Sequence, residues 1–140
     1  MDYLHTPPGH PTIEKEIFGD HDWPLIYKLL DNVKSGKRLQ YKSVGLWGHS
    51  KEIDVPAPQV LVIEGVRLLR NEIMPYLDIA VWIDAPVAYV TERAKARDRK
   101  LGQNEDHIKK WDDEWVPKND EYVREVNPVE LATFIFTQYK

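Results

Sequence analysis

Two apolar runs in this chain stop abruptly at a carboxylate: Gln59-Val60-Leu61-Val62-Ile63-Glu64-Gly65 and Asp78-Ile79-Ala80-Val81-Trp82-Ile83-Asp84. In open α/β sheets ligands bind just beyond the carboxyl ends of the strands, so Glu64 and Gly65 mark a candidate active-site edge. Asp84 has a simpler explanation as the N-cap of a following helix. Arg93 and Arg97 stand four residues apart and share one face of any helix that carries them, where two guanidinium groups can close on a phosphate. The alternative for that pair is a solvated helix face, with the charges matched by Glu92 and Asp98. His21 and His49 lie in polar, turn-rich surroundings that suit a binding loop as well as they suit ordinary surface histidines. His5, His10 and His107 show no metal-ligand spacing.

The elements that would position these residues follow from pattern and punctuation. Both apolar runs are continuous rather than alternating and too short for helices, which fits buried parallel strands covered on both faces. Pro86, just after the second run, suits the first turn of a helix reaching to about Leu101 and interrupted by Gly102. Upstream, Pro7-Pro8-Gly9-His10-Pro11 reads as a loop, with a helical turn expected over Thr12 to Phe18. Asp22 looks like an N-cap, and Ile26, Leu29, Leu30 and Val33 form the apolar stripe of a helix ending at Gly36. Between Lys37 and Pro58, Arg38 to Tyr41 and Lys51 to Val55 resemble the arms of a hairpin turning around Trp47-Gly48-His49. Val66 to Leu77 is expected as a short helix. Glu105 to Val126 carries helical spacing through Ile108, Trp111 and Trp115, read as core-facing residues, with Pro117 kinking or dividing it. Leu131 to Thr137 reads as a last strand. Strand-to-helix units in succession predict an α/β sheet in a single domain over residues 1–140.

Composition limits the functions available. The chain has 140 residues, enough for one domain with a real core at 42% hydrophobic content. It has no cysteine, which removes thiol nucleophiles, disulfides and cysteine-ligated metals and is compatible with a reducing cytoplasm. A formal net charge of -4 argues against a general nucleic-acid binder, which needs a cationic surface to displace counterions. No apolar stretch approaches the length of a membrane span and the N-terminus lacks a signal-peptide layout, so a soluble, cytoplasmic protein is expected.

The order of these features resembles the uridine kinase-like P-loop phosphotransferases, which include phosphoribulokinase and nicotinamide riboside kinase. The resemblance rests on Gly36-Lys37, His49-Ser50-Lys51, Val62-Ile63-Glu64-Gly65, Val81-Trp82-Ile83-Asp84 and the Arg93-x-x-x-Arg97-Asp98 stretch, similar to that family's lid helix. The family's G-x-x-x-x-G-K-[ST] loop does not occur here. What the resemblance implies is therefore a kinase-like parallel-sheet fold lacking the N-terminal strand, phosphate loop and first helix, with residues 37–58 as acceptor region and 86–126 as lid and packing helices.

The resemblance implies further a transfer of the γ-phosphoryl of Mg-ATP to a hydroxyl of a nucleoside or similar small polar metabolite. Arg93 and Arg97 would close on the transferring phosphate, and either Asp2 or a residue of the missing segment would act as base. Asp20, His21, Tyr41, His49 and Lys51 would meet the acceptor, and Glu64 would hold magnesium through water. Val44 and Gly45 stand where uridine kinases have a tyrosine and an aspartate, which argues against a pyrimidine nucleoside. The alternative is a non-catalytic, truncated or degenerate kinase relative that binds a metabolite or a protein. A sheet missing its central strand is expected either to self-associate or to close the gap by another pairing.

Overall fold

The computed structural model describes residues 21–44 and 50–138. Two compact units divide the chain, the first ending at Val66 and the second beginning at Arg67.

The first unit is a helix packed on a hairpin. Helix α1, Trp23–Lys34, starts where the Asp22 carboxylate accepts the Leu25 N–H at 3.0 Å, and Pro24 fits its first turn because that turn has no carbonyl partner for an N–H. It ends before Gly36, whose φ of +64° is the left-handed conformation that a chain leaving a helix commonly needs. The buried stripe is Trp23, Tyr27 and Leu30. The helix was expected to bury Ile26, Leu29 and Val33 as well, but these are only half-buried, and the two large rings with Leu30 make up the buried stripe instead. Strands β1, Leu39–Val44, and β2, Ser50–Val55, pair antiparallel as the sequence predicts, with Leu39 opposite Val55, Tyr41 opposite Ile53 and Ser43 opposite Lys51. Leu39 is buried, and Arg38 and Gln40 both hydrogen-bond the Asp54 carboxylate, at 2.8 and 3.1 Å. These two bonds, Gln40 first, hold Asp54 below the usual carboxylate range. The expected turn around Trp47-Gly48-His49 and the Thr12 to Phe18 helical turn lie outside the described residues.

The run from Gln59 to Gly65 is not a strand. It has no regular structure and no pairing partner among the described residues, and Val60 and Val62 are 79% and 85% exposed. Apolar, β-branched composition favours a pleated, half-buried setting, but a strand exists only where its N–H and C=O groups find a neighbour.

The second unit contains a parallel strand pair. Strands β3, Val81–Asp84, and β4, Phe134–Thr137, run parallel from Val81 opposite Phe134 to Asp84 opposite Thr137. Parallel neighbours need a long crossover, and the helices between them supply it. Thr133 fastens the start of the pair: its hydroxyl accepts the Ala80 N–H at 3.0 Å while its own N–H donates to Ala80 O at 2.7 Å. The α/β reading thus holds in its coarse form, as two small two-stranded sheets among the described residues, one of them parallel. A P-loop kinase-like sheet is not what these elements show.

Three further expectations are corrected or refined in this unit. Val66 to Leu77 forms turns and a single 3₁₀ turn at Met74–Tyr76 instead of a helix. Arg67 takes a left-handed φ of +57°, which breaks helical continuity at the start, and Pro75 has no N–H with which to extend it. Asp84 does not cap the next helix: Ala85 and Pro86 separate it from helix α2, Val87–Lys100, whose start has no side-chain cap. The Asp84 carbonyl instead accepts the Gln138 N–H at 2.9 Å. Third, the predicted Glu105 to Val126 helix is divided. Helix α3, Glu105–Lys110, runs into a π-helical stretch, Trp111–Trp115, and then into helix α4, Val116–Val126. Pro117 sits in the first turn of α4, so the wider π turn precedes the point where its ring would crowd the preceding turn. Asn127, at φ +49°, turns the chain into the short helix α5, Pro128–Leu131, ahead of β4. Among the described residues, no helix is long and apolar enough to cross a membrane.

Candidate phosphate-binding face

Helix α2 carries the arginines that the sequence singled out, and it is anchored from behind. Thr91, Ala94 and Asp98 are its buried residues, at a spacing that defines one inward face. Asp98, 5% exposed, is the strongest anchor. Its carboxylate accepts from Arg97 Nε at 2.9 Å and from Trp111 Nε1 at 2.8 Å, and His107 Nε2 lies 3.5 Å away. Burial alone would raise its pKa, but the Trp111 and Arg97 hydrogen bonds and the Arg97 charge outweigh that and hold it below the usual carboxylate range. Trp111 in turn meets Trp115 edge-to-face at 4.7 Å, so both are half-buried packing residues, as their spacing implied. Beside this anchor, Lys95 reaches Asp112 at 2.7 and 2.9 Å, and Arg99 forks onto Glu105 at 3.0 and 3.3 Å.

The outward face is cationic. Arg93, Arg97 and Lys100 follow one another at i, i+4 and i+7 and are all exposed. Arg93 Nη1 donates to the Tyr89 hydroxyl at 3.1 Å and its guanidinium lies 5.4 Å from that ring's centre, which holds the head group against one turn of its own helix. Arg97 is tethered through Asp98 but its side chain remains 63% exposed. Sequence reading missed Lys100, although the i+7 position after Arg93 was its signal. It also missed that Asp98 reaches across to Trp111 and His107, which no local spacing announces.

A second buried group lies behind β3. Tyr122 is fully buried, donates its hydroxyl to Leu69 O, and packs on Trp82 with ring centres 6.4 Å apart. Burial pushes its pKa up to about 12, against the pull of Arg70 and Arg67, so it stays a hydrogen-bond donor rather than becoming a phenolate. Arg70 is 1% exposed with Glu72 at 3.7 Å.

The remaining candidates belong to the first unit. Tyr41 and Lys51 lie on one face of the hairpin, since Tyr41 pairs with Ile53 and Lys51 with Ser43. His21 Nε2 lies 2.5 Å from Val66 O, and its ring meets Trp23 edge-on at 5.2 Å. That bond brings His21 to the segment carrying Glu64, which is exposed. Asp2, Asp20 and His49 lie outside the described residues. An open hollow along α1, lined by Asp22, Pro24, Leu25 and Lys28 among others, holds none of the candidates. Among the described residues, no three His, Cys, Asp or Glu side chains gather as a metal-ligand set.

No protein-family model matches the chain. Over 93 residues, covering 62% of the chain, it is 28% identical to a protein of Arabidopsis thaliana named Inorganic pyrophosphatase TTM2, and the match spans 14% of that protein's length. The name is that of a hydrolase acting on a phosphoanhydride, not of a nucleoside kinase. This finding overturns the uridine kinase resemblance together with what followed from it: phosphoryl transfer to an alcohol, ATP as cofactor, the P-loop attribute and the degenerate-kinase alternative.

Proposed function

We propose that this chain is part of a protein that hydrolyses a phosphoanhydride, and that its own share of the task is to hold the pyrophosphate anion on the outward face of α2. The observation that carries the reading is the similarity to a protein named an inorganic pyrophosphatase, which supplies a substrate that fits a cationic stripe. Arg93 and Arg97 sit about 6 Å apart along the axis, near the span of two linked phosphoryl groups, and Lys100 extends the stripe by another turn. Arginine suits this role because its planar fork meets two phosphate oxygens at once. The Asp98 carboxylate keeps Arg97 oriented while leaving most of its side chain in water.

The described residues gather no ligand set for a resident metal ion. A divalent cation enters this reading as the counter-ion that pyrophosphate brings with it. Pyrophosphate held this way meets charge on several oxygens, which favours the dispersed charge of a phosphoryl-transfer transition state.

Titration calorimetry with magnesium pyrophosphate tests the reading, with phosphate release measured alongside. The wild-type chain should bind with an affinity that falls steeply with added salt, and Arg93→Ala and Arg97→Ala should each weaken binding by about tenfold, or ~1.4 kcal/mol. Equal affinity in both variants would remove α2 from the site, and no binding of pyrophosphate at all would end the proposal.

A further inference from the structure

Strand β4 pairs with β3 along one edge, and among the described residues no strand occupies the other. The β3 side takes the backbone groups of alternate residues: Phe134 N–H donates to Ala80 O at 3.1 Å and Gln138 N–H to Asp84 O at 2.9 Å. Successive peptide groups point to opposite sides of a strand, so the N–H and C=O of Ile135 and Thr137 point away from β3. Proteins usually guard such an edge with Lys, Pro, a bulge or a charge. Here the segment from Ala132 to Thr137 reads Ala-Thr-Phe-Ile-Phe-Thr and has none of the residues that would guard it. Its side chains are uncovered too: Phe134, Ile135 and Phe136 are 60%, 51% and 61% exposed. Strand β3 differs in ending at the charged Asp84.

We infer that the outer edge of β4 is a self-association surface on which β4 of a second copy pairs antiparallel about a two-fold axis at Ile135. The two parallel pairs then join into one four-stranded sheet. At the axis each Ile135 donates its N–H to the other's carbonyl, which satisfies the Ile135 groups that point away from β3. Phe134 of one copy faces Phe136 of the other on both sides of the axis, an aromatic cross-strand pairing with no charge nearby. A two-fold contact of this kind closes on itself, so assembly stops at two. Edge pairing of β4 covers the exposed side chains of Phe134, Ile135 and Phe136 in part and leaves those of β3 and Ile79 in water, so the contact is small. A contact of that size makes a weak, reversible dimer.

Sedimentation velocity of the intact chain between about 1 and 200 μM reads the equilibrium directly. Ile135→Lys and Ile135→Glu each place like charges opposite one another at the axis while leaving the β3 ladder untouched. Each variant alone should dimerise at least tenfold more weakly than wild type, and an equimolar mixture of the two should dimerise again, now as Lys opposite Glu. Should Ile135→Lys lose the folded far-ultraviolet spectrum, Thr137→Lys on the same outward backbone takes its place. A wild-type chain that stays monomeric, as when another strand of the same polypeptide holds this edge, overturns the inference. So does a dimer indifferent to both charges, or an open series of larger species.

Discussion

The segments Gln59–Gly65 and Asp78–Asp84 have nearly the same recipe, an apolar β-branched run closed by an acid, and opposite outcomes. The second becomes β3, with β4 along one edge, Thr133 fastening its start and Tyr122 packed against Trp82. The first stays irregular, with Val60 and Val62 among the most exposed apolar residues described. Composition proposes a strand, but hydrogen-bond partners and a packed face decide it.

Three substitutions can break or sharpen that contrast. Trp82→Ala removes the ring that joins β3 to Tyr122 and should destabilise the second unit by about 2–3 kcal/mol, somewhat less than a fully buried tryptophan would cost. Denaturant unfolding followed through the remaining tryptophans would show it; an unchanged midpoint would mean that packing behind β3 is not what makes it a strand.

Asp98→Asn comes next, because Asp98 anchors the helix that carries the chain from β3 back towards β4. Losing the charge-assisted bond to Arg97 and half-satisfying Trp111 should cost about 1–2 kcal/mol. The variant should also change the response to acid. The folded carboxyl is held below its ordinary pKa, so its stabilising effect is complete above the unfolded value near 3.8 and is lost as pH falls through the folded value. Melting curves between about pH 6 and pH 2 should therefore converge for wild type and Asp98→Asn at the acid end. Parallel curves across that range would assign the cost to packing instead.

The smallest effect belongs to the irregular run. Val62→Thr keeps the branched shape, adds a hydroxyl to a side chain 85% exposed, and should shift stability by less than about 0.5 kcal/mol. A loss of 1 kcal/mol or more would show that the segment is covered in solution.

What the sequence made legible was local. The Asp22 cap, the helix running on from Pro86, the hairpin arms and the break near Pro117 all follow from residues within a few positions of one another, and they appear where expected. Arg93 and Arg97 share a helix face for the same reason. Features that depend on distant partners were not legible. Asp98 meets Trp111 thirteen residues away, Tyr122 meets Leu69 across fifty-three, and neither leaves a periodic trace. The strand assigned to Gln59–Gly65 failed for the converse reason, since its composition was right and its partner was not among the described residues. The family resemblance failed because short motifs in a familiar order constrain fold elements more tightly than they constrain chemistry.

The π-helical stretch has a consequence for how a one-residue change would be felt. A wider turn advances the chain by less rotation per residue, so five residues in that geometry set α4 back by roughly a quarter-turn relative to an uninterrupted helix. The stretch is a phase shifter: the buried residue is Ile108 on α3, the helix that meets α2, and becomes Tyr122 on α4, turned towards Trp82. One polypeptide rod thereby serves two neighbours lying in different directions without a loop between them. Deleting a single residue between Asp112 and Glu114 would regularise the helix and still harm the protein, because the rod would then present one continuous stripe to two surfaces that do not share a plane.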